Sequence, residues 1–570
     1  MPHEAEGLRV YAFDSLDNPL VKLITGESQS PNYIHSYLAD LQAKSVVEEV
    51  QYFDRDYLAA FSAFYSTSSA GYSNACRRLH FFAQEVSRKT LETALRFDPL
   101  RTGEEGAVDE DAAGQEGGGV DDEALKAAKG LQASYLGFVV LRPTKAPFGR
   151  TVLRWYEDDQ PKTPRVTSPS REHVCHLAGL PLRVTGVAWQ QQDVGIGGCA
   201  TIAVWTCLSS SAFDEFHATP TTTEITRHAH AAPSIYRLFP SRGLDLPQTC
   251  EAIRAIGLAP IPIEGDQFDV ENNHSYFTRA RFAHTCAALL RSGYPVFVAG
   301  DIAGGLHACC IVGFRESSIS EPKQGEADQA DEGIRYLYLN DDGLGPSARF
   351  EIAEVEVDPG GPDDVTDQAG SSTEPGEENE RKATPPKKVI LRLSPPPPRN
   401  GSWKYPADPS RYGMLVPNNL VVAVPQELRL SPDTLYQEAE GRLRDLEQVH
   451  EGPLPGMVYG SRYVKLSEFL RLDVFKVLRK HPDLVAKVRL ALAETVPPMC
   501  LHLAVVRFVS SAKEDTVLDI LLDTSENDHT PVRAYASIAY QPSLLPLLEK
   551  LRELAKDDPG FDPGVIIKAF

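Results

Sequence analysis

The chain has 570 residues, 42% of them hydrophobic, and its 79 acidic against 57 basic side chains give a formal charge of −22. That length exceeds a single compact core and predicts two or three domains. An acidic balance argues against a nucleic-acid partner, and no run approaches the roughly 18 apolar residues that span a bilayer, so no membrane partner is expected either.

Two Gly/Pro-rich stretches, 102–123 and 356–380, hold most of the negative charge, and the remainder is only mildly acidic. Nine cysteines (76, 175, 199, 207, 250, 286, 309, 310 and 500) show no framework spacing and mostly sit in apolar surroundings, which suits reduced, buried thiols. The opening "MPHEAEGLRVYAFDS" has no basic flank leading into an apolar run. A cytoplasmic protein is expected.

Residues 1–101 contain "YIHSYLADLQAKSVVEEVQYFDRDYLAAFSAFYS" and "YSNACRRLHFFAQEVSRKTLETAL", with apolar positions recurring at three and four, and a mostly helical N-terminal region is predicted. The acidic stretch 102–124 is too polar and Gly-rich to pack, so a disordered loop is expected there. Within 125–179, "SYLGFVVLRP" and "GRTVLRWY" predict a β-hairpin leading into a core.

From 180 to 353 the pattern predicts a helix "CATIAVWTCL", a helix "LPQTCEAIRAIG" closed by Gly257, a strand "APIPIEG", and a helix "FTRARFAHTCAALLRSG" closed by Gly293. The runs "YPVFVAG", "LHACCIVGF" and "IRYLYLN" then predict adjacent antiparallel strands. Residues 354–402 read as an acidic, Pro-rich linker, within which "KVILRL" has the pattern of an added strand. Residues 403–570 predict a second α+β domain with alternating helical and strand-like segments. The fold class is α+β.

One stretch carries chemistry. In "QQQDVGIGGCATIAVW" (190–205), Cys199 opens an apolar helix, where free backbone amides favour a thiolate, and Gly197 and Gly198 permit a tight turn into it. A thiolate also wants an imidazole, and "LHACCIVGF" places His307 at the start of a doubly buried strand, a costly site for a polar ring without a partner. If the next strand matches its ends, Phe314 facing Ile334, His307 comes opposite Asp341. Alternation puts Asp341 on the face of Leu337 and Leu339, and Asp342 on that of Tyr338. Cys199 then serves as nucleophile, His307 as base and acid, and Asp341 as the group that orients the ring. The Cys199 amide and a side chain among Gln190, Gln191 and Gln192 are the natural oxyanion donors.

Gln, a Gly-containing loop, Cys opening a buried helix, then "H-A-x-x-x-V-G-F" and "N-D-x-G" on successive strands: residues 185–350 resemble the papain-like cysteine peptidases, nearest the bacterial C39-like group. The resemblance implies a papain-like core, a Cys199-His307-Asp341 triad with an oxyanion glutamine, and hydrolysis of amide bonds in a peptide or protein substrate. Two features depart from the family pattern. The position six residues before the cysteine is Asp193, with Gln192, the expected donor, at seven, and the insert between the histidine and aspartate strands is long.

Competing readings are a transglutaminase-like or amidase-like acyltransferase with the same triad, and an inactive papain-like binding scaffold. Cys207, Cys309 and Cys310 read as core packing. "REHVCHLAG", "RHAH" and "HTC" lack zinc-site spacing, so neither metal nor cofactor is expected. The polar insert 315–333 is placed to act as a lid over the site.

Overall fold

The computed structural model describes residues 7–24, 29–97, 121–157, 163, 165–168, 170–193, 198–209, 219–232, 243–269, 274–302, 305–315, 334–356, 387–394, 415–454, 456–510, 515–525 and 532–570. The fold is mixed α/β with antiparallel sheets. The acidic stretch before Asp121 and the insert after Arg315 lie outside the described residues.

The N-terminal region is not mostly helical. Five strands, Leu8–Ala12, Ser45–Tyr52, Cys76–Phe82, Tyr135–Leu141 and Phe148–Leu153, form a sheet in chain order. Within the two segments read as long helices, only Gln29–Asp40, Arg55–Ala60 and Arg88–Ala94 are α-helical, with a π-helical turn at Phe61–Tyr65. Val46, Val47, Leu79, Phe81 and Phe82 are fully buried. Strands covered on both faces lose the polar–apolar alternation that separates them from helices. The expected hairpin is present, with Phe138 paired to Val152, but it completes this sheet.

The second sheet has eight strands. Its order is Lys387–Leu393, Gly345–Glu356, Tyr336–Asp341, Gly305–Arg315, Val296–Ile302, Val416–Val424 and Ala259–Glu264, with Arg165–Thr167 added beside Gly305–Arg315. The three strands expected to be antiparallel neighbours are so, and "KVILRL" does add a strand. The sheet also runs past both expected boundaries, because Val416–Val424 returns after the linker to pair with Val296–Ile302 and Ala259–Glu264. The helices Leu246–Ala255 and Arg279–Arg291 are followed by Gly257 (φ 88°) and Gly293 (φ 87°), the left-handed closures expected.

The third sheet, Met457–Lys465, His502–Ser510, Thr516–Asp523, Ala534–Ala539 and Val565–Lys568, belongs to the expected C-terminal α+β domain. It docks on helix Arg279–Arg291: Ser461 Oγ lies 2.9 Å from His284 Nε2, and the Tyr463 amide donates to Ser292 Oγ at 2.7 Å. Among the described residues, no helix is long and apolar enough to cross a membrane.

The hairpin Arg171–Leu177 with Leu180–Gly186 carries a histidine that ties stability to pH. Burial first, and then the Arg150 and Arg171 charges, push the His173 pKa down to about 4. An unfolded histidine takes its proton near pH 6.5, so the fold gains from a neutral His173 above that pH and loses the gain as pH falls toward 4. His173→Gln should flatten the fall in the urea midpoint between pH 6.5 and 4; an unchanged profile would place the acid sensitivity elsewhere.

Candidate active site

Helix Cys199–Leu208 is apolar on all sides and every residue in it is buried except Cys199. Among the described residues no side chain caps its N-terminus, which leaves its first amides to polarise whatever the thiol meets. Gly198 precedes it with φ −63° and ψ 162°, an extended conformation open to any residue. Its glycine is required for another reason: a Cβ there would lie 2.3 Å from the Gly243 Cα. Two backbones pass in contact at the mouth of the helix. Gly197 lies outside the described residues.

His307 stands near the start of strand Gly305–Arg315, and Asp341 at the end of Tyr336–Asp341. Matched strand ends would set Phe314 against Ile334, but Phe314 faces Leu337 and Cys310 faces Asn340, with a bulge between Ile311 and Gly313. Continued, this register brings Cys309 opposite Asp341, and His307 reaches the carboxylate diagonally. The expected contact forms through a different register. His307 Nε2–H donates to Asp341 Oδ2 at 2.8 Å, and the Cys199 thiol lies near enough to the ring to help raise its pKa. With Nε2 committed, Nδ1 is the nitrogen left for sulfur.

The electrostatics favour an imidazolium. Burial works against the charged ring, but the Asp341 charge and hydrogen bond, the Cys199 contact and the Asp342 charge outweigh it and hold the His307 pKa well above the usual range. Burial likewise raises the Asp341 pKa, and the His307 charge and hydrogen bond, with the Gly343 and Leu344 amides, more than reverse this. Those two amides donate to Asp341 Oδ1 at 3.0 and 2.9 Å.

The N-terminal domain builds part of this site. Ser30 and Tyr33, on helix Gln29–Asp40, donate to the Gly343 and Pro346 carbonyls at 2.8 and 2.9 Å. Gly345 permits this packing, since a Cβ would sit 2.2 Å from Tyr33 Cδ1. Trp189 Nε1 donates to the Asp341 carbonyl at 2.8 Å, while Trp189 itself bridges to Thr151 of the N-terminal sheet. Turn and glutamine loop are thus clamped from the same side.

The three glutamines part company. Gln192, the donor expected from the sequence, is exposed. Gln191 is turned toward strand Phe148–Leu153, its Oε1 accepting from the Phe148 amide at 3.4 Å. Gln190 is 2% exposed, and its Nε2 has no hydrogen-bond partner among the described residues. It directly follows Trp189, which is bonded to Asp341. Of the three, Gln190 alone has the buried, unengaged amide that an oxyanion donor requires.

One group near His307 was assigned elsewhere by the sequence. Asp342 is 2% exposed with Oδ1 3.6 Å from His307 Nε2. Burial, followed by the Asp341 charge against the pull of His307, pushes its pKa up to about 7. Alternation should have sent it to the other face, but Asp342 lies just past the end of strand Tyr336–Asp341, in the turn before Gly345–Glu356 where alternation no longer applies, and both consecutive aspartates reach the ring. Cys309 is buried as expected, with its pKa driven far up by burial and the two aspartates.

Neither a family model nor a curated protein matches the chain. The chemistry of the site therefore rests on its own geometry.

Proposed function

We propose that the chain is a cysteine peptidase of papain-like construction, hydrolysing amide bonds in a peptide or protein substrate. The observation that carries this reading is His307 held at 2.8 Å by Asp341, with a thiol at the start of a buried helix close enough to act on the ring. The placement of the cysteine helix against the strand of His307, with Asp341 on the adjoining strand, supports it. Nine unpaired cysteines are in keeping with a reducing, cytoplasmic setting.

In this reading the Cys199 thiolate attacks the carbonyl carbon and the C=O electron pair moves onto oxygen, where the Cys199 amide and Gln190 hold it. The C–N bond then breaks, its electrons leaving with the amine, which takes a proton from His307. Water, giving a proton back to the ring, attacks the thioester and frees the acid and the thiol. Gln190→Ala should lower kcat about 10²-fold with little change in KM, the scale expected for one oxyanion donor. Gln192→Ala should leave both unchanged; the opposite pattern would return the role to Gln192.

The test is incubation of the full chain with proteome-derived peptides in 18O-labelled water, with and without a primary amine. New C-termini carrying 18O support hydrolysis. Amine adducts in their place would make it an acyltransferase, and the absence of any product would leave a binding scaffold.

A further inference from the structure

Two groups in contact with the triad have no part in that chemistry. Cys309 stands two residues beyond His307 on the same strand, and one ligand atom from each of His307, Cys309 and Asp341 lies within 4.8 Å of the others. Asp342 adds a second carboxylate 3.6 Å from His307 Nε2. Its side chain is 3% exposed, and neither oxygen has a well-formed hydrogen bond among the described residues. The nearby Gly343 amide is already engaged by Asp341. A carboxyl buried this way is costly unless something pairs with it.

We propose that His307, Cys309, Asp341 and Asp342 form a site for a zinc-type divalent cation, and that its occupation switches the thiol chemistry off by taking His307 out of the triad. The site itself stands on these four residues, whereas the switch rests on the peptidase reading. One thiolate, one imidazole nitrogen and two carboxylates are a donor set suited to zinc; calcium and magnesium prefer oxygen throughout. Tetrahedral zinc, with bonds of about 2.0–2.3 Å, needs donor atoms roughly 3.3–3.8 Å apart. The atoms must therefore close by about 1 Å, while the Nε2 proton and the Cys309 thiol proton leave to solvent. The ion replaces the His307–Asp341 hydrogen bond with two metal bonds. It also gives Asp342 a counter-charge at bonding distance, where the apo site offers only the His307 ring at 3.6 Å. His307, its side chain 19% exposed, is the point of entry.

The decisive experiment is titration of the metal-free full chain with zinc chloride against a chromophoric zinc indicator. Wild type, Cys199→Ala, Cys309→Ala and Asp342→Asn are compared, each first shown to keep the wild-type unfolding transition; Cys309→Ser replaces the alanine variant should that one not fold. One equivalent bound by wild type and Cys199→Ala, with affinity at least tenfold weaker in the Cys309 and Asp342 variants, is the expected result. Zinc lost on Cys199→Ala but kept by the other two would overturn the proposal, since the ion would then sit on the thiol–imidazole pair. No binding would overturn it as well. Zinc held by a chain that cleaves nothing even when metal-free supports the site and counts against the peptidase reading; a chain that cleaves peptides and ignores zinc does the reverse.

Discussion

Replacing Cys199 by alanine should abolish peptide cleavage and leave the fold in place. Without sulfur there is no nucleophile, and the imidazole and oxyanion donors can at best activate water, so a loss of at least about 10³-fold in kcat is expected. The fold should tolerate the change because Cys199 is the one partly exposed residue of its helix, and alanine is the best helix former. A surface substitution of this kind costs no more than about 1 kcal/mol. Initial rates on a cleaved peptide, set beside the urea midpoint, check both halves. Cleavage at the wild-type rate would assign the activity to another group.

The second large effect is expected at His307. His307→Ala should cost as much as Cys199→Ala, and the double variant no more than either, because the two groups act as a unit and each is useless without the other. Asp341 acts through the ring, and both of its substitutions should tell. Asp341→Asn has one oxygen where Asp341 uses two, Oδ2 for His307 and Oδ1 for the Gly343 and Leu344 amides, so its NH2 meets a donor either way or forces the wrong ring tautomer, and it should lose activity on the scale of the alanine variant. Asp341→Ala removes both sets of contacts and should lose about 10²- to 10⁴-fold. Single and double variants assayed on one substrate decide the matter. Additive losses at Cys199 and His307 would mean that ring and thiol work separately.

How far the sequence reveals this molecule depends on which interactions set each part. Helices with clean ends are legible: Gly257 and Gly293 stop their helices where an L-residue would be strained. The three strands around His307 are legible too, as short apolar runs between turn residues. The N-terminal sheet is not, because the first half of Ser45–Tyr52 and nearly all of Cys76–Phe82 are continuously buried, and a doubly covered stretch of strand has no period of its own. Nor is the return of Val416–Val424 into the second sheet. Pairing across so long an excursion is a tertiary choice that local pattern does not encode.

The site shows the same division. His307 and Asp341 meet as the residue types and their order suggest, yet the bulge after Ile311 sets a register that matched strand ends do not give. Asp342 reaches the ring from the turn beyond the end of its strand, where alternation stops. A bulge adds one residue to one strand and reverses the faces of everything beyond it, and although Gly313 beside the one after Ile311 is a residue type that accompanies bulges, its presence alone does not set the register. Gly198 is a milder case. Its glycine is visible in the sequence, but the reason for it, the Gly243 backbone, lies 45 residues away along the chain.

Everything turns on whether Cys199 is a thiolate poised by His307. Brief treatment of the folded chain with limiting iodoacetamide near pH 6, followed by peptide mapping of all nine cysteines, reads this directly. Cys500 is the internal reference: it is the other partly exposed cysteine, and its thiol is held as a donor to the His502 carbonyl at 2.7 Å. Cys199 should be labelled at least about tenfold faster than Cys500, and His307→Ala should erase the difference. Labelling of Cys199 no faster than Cys500, or equally fast with and without His307, would mean that His307 does not poise the thiol.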